Sequence, residues 1–347
     1  MKVGIAFSGG GLKGAYEVGV YKAFQDAHIK VDGFVGTSIG SFNAAMCASG
    51  KFKELYLFWY YEDLGSILGF SEKLVMKANM GEYDLDMLNV ILDSIKGVVL
   101  NKGISTYNLR KRLEEFNIEP ELRKSKKDFG LVTVRFNGFE PLYLFKDSIP
   151  FGKLNDFIMA SCYLPIFKLE KLIDDNYYLD GGFHDNIPVS ILLDRNYDKV
   201  YVVDLEAIGL KRPYKDKKKI IIIKPSKRLS SILNFKQEEV RNSIKMGYYD
   251  TIKILKEFDG KKYIFKKRSN IYYDNLLSSV NKLDKELMEK LFSTKNSKRL
   301  VIKAIEFVMK KEKFTYYNIY DVKDVIKRIR YLNKKHQVYK FITMMNI

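Results

Sequence analysis

Ser38 lies in Gly36-Thr37-Ser38-Ile39-Gly40, a G-x-S-x-G spacing between a short apolar run and a stretch of small helix-forming residues. A serine on such a turn is lifted clear of a sheet, with Gly36 and Gly40 removing the side chains that would strike the neighbouring backbone. The N–H of Ile39 and the positive end of the following helix then lie beside any negative charge that develops as the hydroxyl attacks a carbonyl. A second candidate is Gly9-Gly10-Gly11-Leu12-Lys13-Gly14. It fits the G-x-G-x-x-G dinucleotide spacing, but its consecutive N–H groups could equally bind the oxyanion of acyl transfer. A third is Asp180, followed by Gly181-Gly182 and then Phe183-His184-Asp185-Asn186. It offers a carboxylate at a strand end, with two glycines that allow another loop to come close.

These residues need elements to hold them. Lys2 to Phe7 reads as a strand, the glycine cluster as a turn, and Ala15 to Phe24 as a helix by its apolar spacing. Val31 to Val35 reads as a second strand and 41–48 as a helix, so the order βαβα predicts a parallel sheet. Residues 51–125 are expected to be mainly helical, with amphipathic segments near 84–96 and 107–116, and to form a cap over the site. Phe129 to Phe136, Asn137-Gly138 and Glu140 to Phe145 predict a hairpin of the two-residue-loop kind. Tyr177 to Leu179, Lys199 to Val203 and Lys219 to Ile223 add strands, and beyond Pro225 only helices are expected.

In that order, Gly9 to Gly14, the Ser38 elbow, Ala160-Ser161-Cys162-Tyr163-Leu164-Pro165 as A-S-x-x-x-P, and Asp180-Gly181-Gly182 resemble the patatin-like phospholipase family over about residues 1–255. The resemblance implies a three-layer α/β/α fold with a mainly parallel sheet. It also implies a lipid acyl hydrolase of the phospholipase A or lysophospholipase type, in which Ser38 is the nucleophile and Asp180 the general base and acid. Gly9, Gly10, Gly11 and Ile39 would form the oxyanion hole, with Gly14, Gly36, Gly40, Gly181 and Gly182 as supporting motif residues. Asp185 and Asn186 are expected to hold the Asp180 loop, and Lys13 could attract a lipid phosphate. Three alternatives stay open: a triad of Ser38, Asp180 and His336, a dinucleotide-binding oxidoreductase using the 9–14 loop with Asp32 as the ribose acid, and a nucleic-acid-binding protein using the basic C-terminal helices.

Composition limits the remaining classes. The 347 residues carry 60 Lys and Arg against 42 Asp and Glu, and 46% are hydrophobic, which excludes a disordered chain. Two cysteines and three scattered histidines supply no metal-ligand spacing, so no metal and no cofactor are expected. No apolar run is long enough to span a bilayer. The charge is uneven: 24 basic and 28 acidic residues precede position 211, and 36 basic and 14 acidic residues follow. The excess positive charge points to an anionic partner for the C-terminal part, a membrane surface before a specific nucleic acid, because no nucleic-acid signature accompanies it. The expected organisation is an acyl hydrolase domain over 1–257, with 51–125 cap-like, and a basic helical appendage over 258–347. The absence of a signal segment suits the cytoplasm, with peripheral membrane contact, and also export by a signal-less route.

Overall fold

The computed structural model describes residues 1–80, 103–332 and 334–347. The expected amphipathic segment near 84–96 lies outside the described residues. The chain forms two compact units, Met1–Thr251 and Ile252–Ile347.

The first unit is built on a seven-stranded sheet. Its strands are β1 (Val3–Phe7), β2 (Gly33–Thr37), β3 (Asp128–Arg135), β4 (Glu140–Phe145), β5 (Tyr178–Asp180), β6 (Lys199–Val203) and β7 (Ile220–Ile223). The order is β4-β3-β2-β1-β6-β7, with β5 also paired to β3. The pairs β1·β2, β1·β6, β2·β3 and β6·β7 are parallel, whereas β4 and β5 run antiparallel to β3.

Both faces of the central strands are covered, which is why β1 and β2 read as apolar runs with no alternation. Ile5, Phe7, Phe34 and Tyr201 share one face by register. Tyr21 and Phe24 of helix α1 (Ala15–Asp26) close on it, edge-on to Phe34 and Tyr201 at centroid distances of 4.9 and 4.7 Å. Ala6, Val35, Val132, Val200 and Val202 form the opposite face, packed under Ile187, Val189, Leu192 and Tyr197. The result is the three-layer α/β/α arrangement. Helix α2 (Ile39–Ala48) follows β2, and helix α3 (Phe52–Tyr61) follows α2.

The helix Gln237–Leu255 returns to α1. An added Cβ on Gly19 would collide with the Ile244 carbonyl, and one on Gly247 with the Tyr16 carbonyl, so the two backbones cross at glycines. Between 51 and 125 the described residues form helices Phe52–Tyr61, Leu64–Ile67, Glu72–Asn79, Tyr107–Phe116 and Ile118–Lys124. The hairpin departs from expectation in its loop. Arg135 pairs with Glu140, leaving four connecting residues, two of them, Gly138 and Phe139, at positive φ.

The second unit packs helices Asn270–Leu277, Lys282–Phe292, Ser297–Lys311, Val322–Tyr331 and Gln337–Thr343. Its core is aliphatic and aromatic, centred on Leu300, Ile305, Val308, Ile326 and Phe341. The expectation of helices alone beyond Pro225 is corrected here: β8 (Ile264–Phe265) and β9 (Ile319–Tyr320) form a small parallel pair. No helix among the described residues is long and apolar enough to cross a membrane.

Candidate active site

The segments after β1, β2, β6 and β7 all leave the carboxyl ends of parallel strands. β1 is followed in the chain by its neighbour β2 on one side, and β6 flanks it on the other, so the chain reverses direction across the sheet at this point. Such reversals are where open α/β sheets leave a crevice. A cleft of about 1110 Å³ lies there, lined by Gly9, Gly10, Gly11, Ser38, Asp180 and Gly182, and walled by residues 205–210 and 225–233.

Ser38 occupies the sharp turn between β2 and α2 with φ 55° and ψ −133°. A non-glycine residue in that conformation carries strain of about 1–3 kcal/mol and persists only where its surroundings enforce it. Here the surroundings are specific. The Ser38 N–H donates to Ser161 Oγ at 2.9 Å, and Ser161 Oγ donates to the Val132 carbonyl at 2.7 Å, which ties the turn to β3. An added Cβ on Gly36 would collide with the Gly40 carbonyl, and one on Gly40 would lie 2.7 Å from the Ser8 carbonyl. The turn therefore cannot form with a side chain at position 36 or 40.

Asp180 reaches the serine through the sheet. Thr37 is in register with Val132 on β3, and Thr133, the next residue, is in register with Asp180 on β5. Gly181 lies so close to the Val132 carbonyl that any Cβ would collide with it. Asp180 is 3% exposed, and burial raises its carboxyl to about 6, against the opposing pull of the Ser38 hydroxyl and the Gly182 N–H. Gly182 N–H donates to Oδ1 at 2.7 Å. Oδ2 is buried and closes no hydrogen bond of ordinary geometry, while the Ser38 hydroxyl lies near enough to pull the carboxyl down.

The loop after Asp180 anchors both other motifs. Thr37 Oγ1 donates to the Asp185 carbonyl at 2.8 Å, and Asn186 Nδ2 donates to the Gly9 carbonyl at 3.2 Å. Gly9 N–H donates to the Asn186 carbonyl at 3.0 Å. That bond corrects one expectation: Gly9 has its N–H engaged and is not free to hold an oxyanion. No protein acceptor among the described residues takes the N–H of Gly10, Gly11 or Ile39. Gly14 lies farther back, its carbonyl accepting from Asn43 Nδ2 at 3.1 Å.

An apolar cavity of about 90 Å³ also reaches the serine, lined by Ser38, Ile39, Phe42, Phe58, Trp59, Phe116 and Cys162 among others. The rings of Phe42, Phe58 and Phe116 meet in a triangle with centroids 5.5 to 5.6 Å apart. Burial pushes the Cys162 thiol far above its ordinary value, which removes it as a thiolate nucleophile.

The remaining sequence candidates are engaged elsewhere. His336 caps the helix Gln337–Thr343, its Nδ1 accepting from the Val338 N–H at 3.3 Å, and stacks on Phe307. Asp32 precedes β2, accepts the Val3 N–H at 3.0 Å and pairs with Lys30 at 2.9 Å. Its place as a strand tie leaves the dinucleotide alternative without its ribose acid. His184 lies against the Arg212 guanidinium at 3.1 Å. Among the described residues no group of three His, Cys, Asp or Glu is arranged to hold a metal ion. Ser161 and Thr37 stand inside the A-S-x-x-x-P and G-x-S-x-G motifs, but the sequence assigned them no role, because their hydrogen-bond partners lie on distant segments.

The profile of the family described as Patatin-like phospholipase matches residues 5–193, more than half of the chain. The chain belongs to the patatin-like phospholipase family. Among its curated relatives, the lysophospholipase nte1 of Aspergillus terreus is 26% identical over 212 residues, and the lysophospholipase NTE1 of Coccidioides immitis 27% over 218. Each match covers 61% of this patatin-like chain and 12% of the relative. The chain thus spans about an eighth of their length. Among solved structures, VipD from Legionella pneumophila is similar at 14% identity and a TM-score of 0.46, covering 98% of this chain and 83% of that one. ExoU of the Pseudomonas aeruginosa type III secretion system, in complex with SpcU, is similar at 14% identity and a TM-score of 0.35, covering 99% and 70%. Neither likeness bears on what this patatin-like chain does.

Proposed function

We propose that this patatin-like chain is a lipid acyl hydrolase cleaving carboxylic esters of glycerolipids, with Ser38 as nucleophile and Asp180 as general base. The observation that carries the reading is the buried Asp180 carboxyl, with one oxygen closing no hydrogen bond, beside a strained serine at the junction of an open cleft and an apolar cavity. The first few carbons of an acyl chain suit the cavity of about 90 Å³, and the glycerol and headgroup suit the cleft.

The chemistry follows from the groups present. The ester carbonyl carbon is attacked by Ser38 Oγ as its proton passes to Asp180, and the carbonyl oxygen becomes an oxyanion held by the N–H groups of Gly10, Gly11 and Ile39. Collapse expels the alcohol, which takes the proton from Asp180, and leaves an acyl-serine. Water then attacks the acyl-serine, gives its proton to Asp180, and the fatty acid leaves as Ser38 regains its proton. An aspartate raised only to about 6 remains a weak base for a hydroxyl. Much of the barrier reduction therefore falls to the oxyanion donors, each worth about 2.7–4 kcal/mol in comparable sites.

The unit Ile252–Ile347 carries 24 basic and 10 acidic residues. Its proposed role is to hold the enzyme on an anionic lipid surface, a role that requires no transmembrane segment. The test of the reaction is labelling and turnover together. A fluorophosphonate should label wild-type protein and leave Ser38→Ala unlabelled, and both Ser38→Ala and Asp180→Asn should lose ester hydrolysis while staying folded. Retention of more than about a tenth of the rate by Asp180→Asn, a loss of only about 1.4 kcal/mol, would remove the dyad.

A further inference from the structure

Glu17 breaks the pattern of its own helix. It stands between Tyr16 and Val18 on α1 and is fully buried, although an apolar residue there would avoid the desolvation of a carboxyl group. Residues that violate the local rule at a cost tend to serve function. Glu17 Oε2 accepts a hydrogen bond from Asn43 Nδ2 at 2.8 Å. The same Nδ2 donates to the Gly14 carbonyl at 3.1 Å, and Asn43 Oδ1 accepts from Trp59 Nε1 at 3.0 Å. Oε1 is buried and closes no hydrogen bond. Burial raises the carboxyl well above its ordinary value, while Asn43 and the Ser8 N–H oppose it.

The position of this network gives it meaning. Glu17 and Gly14 belong to the segment that continues the glycine loop, whereas Asn43 is on the helix that begins immediately after Ser38. The candidate oxyanion donors are divided the same way, with Gly10 and Gly11 on the first segment and Ile39 on the second. A buried hydrogen bond adds to the packing of the two segments a directional restraint at a donor–acceptor distance near 2.8 Å.

We propose that Glu17 is a positioning residue, holding the glycine loop through Asn43 at the distance from the Ser38 turn at which Gly10, Gly11 and Ile39 address one oxyanion. The inference rests on the acyl-transfer reading of the site, and Glu17 itself touches no substrate.

The experiment measures kcat and KM on a soluble p-nitrophenyl ester, and inhibition by a trifluoromethyl ketone, which forms a tetrahedral oxyanion, against the matching non-reactive amide. Glu17→Gln keeps an acceptor of the same shape for Asn43 Nδ2 and should retain kcat within about threefold. Glu17→Leu should lower kcat by about 10- to 100-fold, the scale of misplacement by a fraction of an ångström to one ångström, with KM little changed. Ketone inhibition should weaken by the same factor as kcat/KM while amide binding holds. Asn43→Leu should behave alike, and the double variant should be little worse than either single one. If Glu17→Leu does not fold, Asn43→Ser tests the same network without touching the cavity lining, with a kcat loss showing the same split between ketone and amide. Wild-type kcat in Glu17→Leu, equal weakening of ketone and amide, or a loss fully shared by Glu17→Gln would each overturn the proposal. Ser38→Ala is measured in parallel: activity surviving in it would sink the acyl-transfer reading, whereas an inactive Ser38→Ala beside a fully active Glu17→Leu would sink this inference alone.

Discussion

Thr37 Oγ1 donates to the carbonyl oxygen of Asp185 at 2.8 Å, fully buried, and so fastens the last residue of the serine strand to the loop that begins at Asp180. The two catalytic candidates are far apart in sequence, and this bond joins their loops directly. Thr37→Val keeps the shape and removes the donor, leaving a buried carbonyl unsatisfied. The expected cost is about 1–3 kcal/mol in unfolding free energy, with kcat reduced beyond what the lost stability explains at assay temperature. Urea denaturation with unchanged m-value and parallel kinetics measure both.

Ser161 supports the serine from the other side. It accepts the Ser38 N–H and passes a hydrogen bond to Val132, so Ser161→Ala removes the restraint on a residue at φ 55°. The expected result is a kcat loss of roughly tenfold or more with the fold retained, since one tenfold step needs only about 1.4 kcal/mol of lost positioning. Full activity in Ser161→Ala would mean the turn is held by backbone packing alone.

The pH dependence has a definite sign. Burial raises Asp180 to about 6, and the base must be ionised, so kcat/KM on a neutral soluble ester should rise as pH increases through about 6 and then level off. Asp185 is also raised to about 6, by burial, and could be mistaken for the titrating group. Asp185→Asn should keep the acid limb if the protein folds, and Asp180→Asn should have no limb because it has no rate. The same shift affects stability in the opposite sense. A carboxyl held above its unfolded value binds a proton more readily in the native state, so Asp180 contributes a loss of stability as pH rises from about 4 to 6.

Gly11 combines φ 55° with a closed surrounding, an added Cβ lying 2.6 Å from the Ile232 carbonyl. Gly11→Ala must therefore shift the loop. If its N–H is an oxyanion donor, kcat should fall by about 10²–10³ with KM changed much less. Equal losses in kcat and in ground-state binding would assign Gly11 to cleft shape.

The sequence made β1, α1, β2 and α2 legible because each buries a long apolar pattern, and it made Ser38 and Asp180 legible because glycines must surround them. It was silent where position depends on distant partners. The two-residue strands Ile264–Phe265 and Ile319–Tyr320 are too short for any periodicity and pair across more than fifty residues. Segments 205–210 and 225–233 wall the cleft without regular structure, and Gly9 reads as a donor until Asn186 is seen to take its N–H. Phe139 at φ 50° turns the expected tight hairpin into a four-residue loop, a conformation its residue type does not announce.

The proposed lipid-surface role of Ile252–Ile347 can be tested through one helix. In Lys282–Phe292, Met288 is buried, whereas Leu283, Leu287 and Leu291, spaced four residues apart, are 80%, 45% and 48% exposed. Lys282 and Lys290 lie on the same helix, within a unit whose basic residues outnumber acidic ones by 24 to 10. Leucines beside lysines suit an interface that is apolar below and anionic above. Each basic residue near such a surface contributes about 1 kcal/mol at most, within a Debye length of about 8–10 Å. The 347-residue protein should co-sediment with phosphatidylserine-containing vesicles and less with phosphatidylcholine, with binding falling as salt rises. Replacing the three leucines by serine should weaken vesicle binding and turnover on vesicles at every salt concentration, and leave turnover of a soluble short-chain ester unchanged. Equal vesicle binding by the serine variant would assign the stripe to another contact. Salt-independent binding by both proteins would remove charge as the cause.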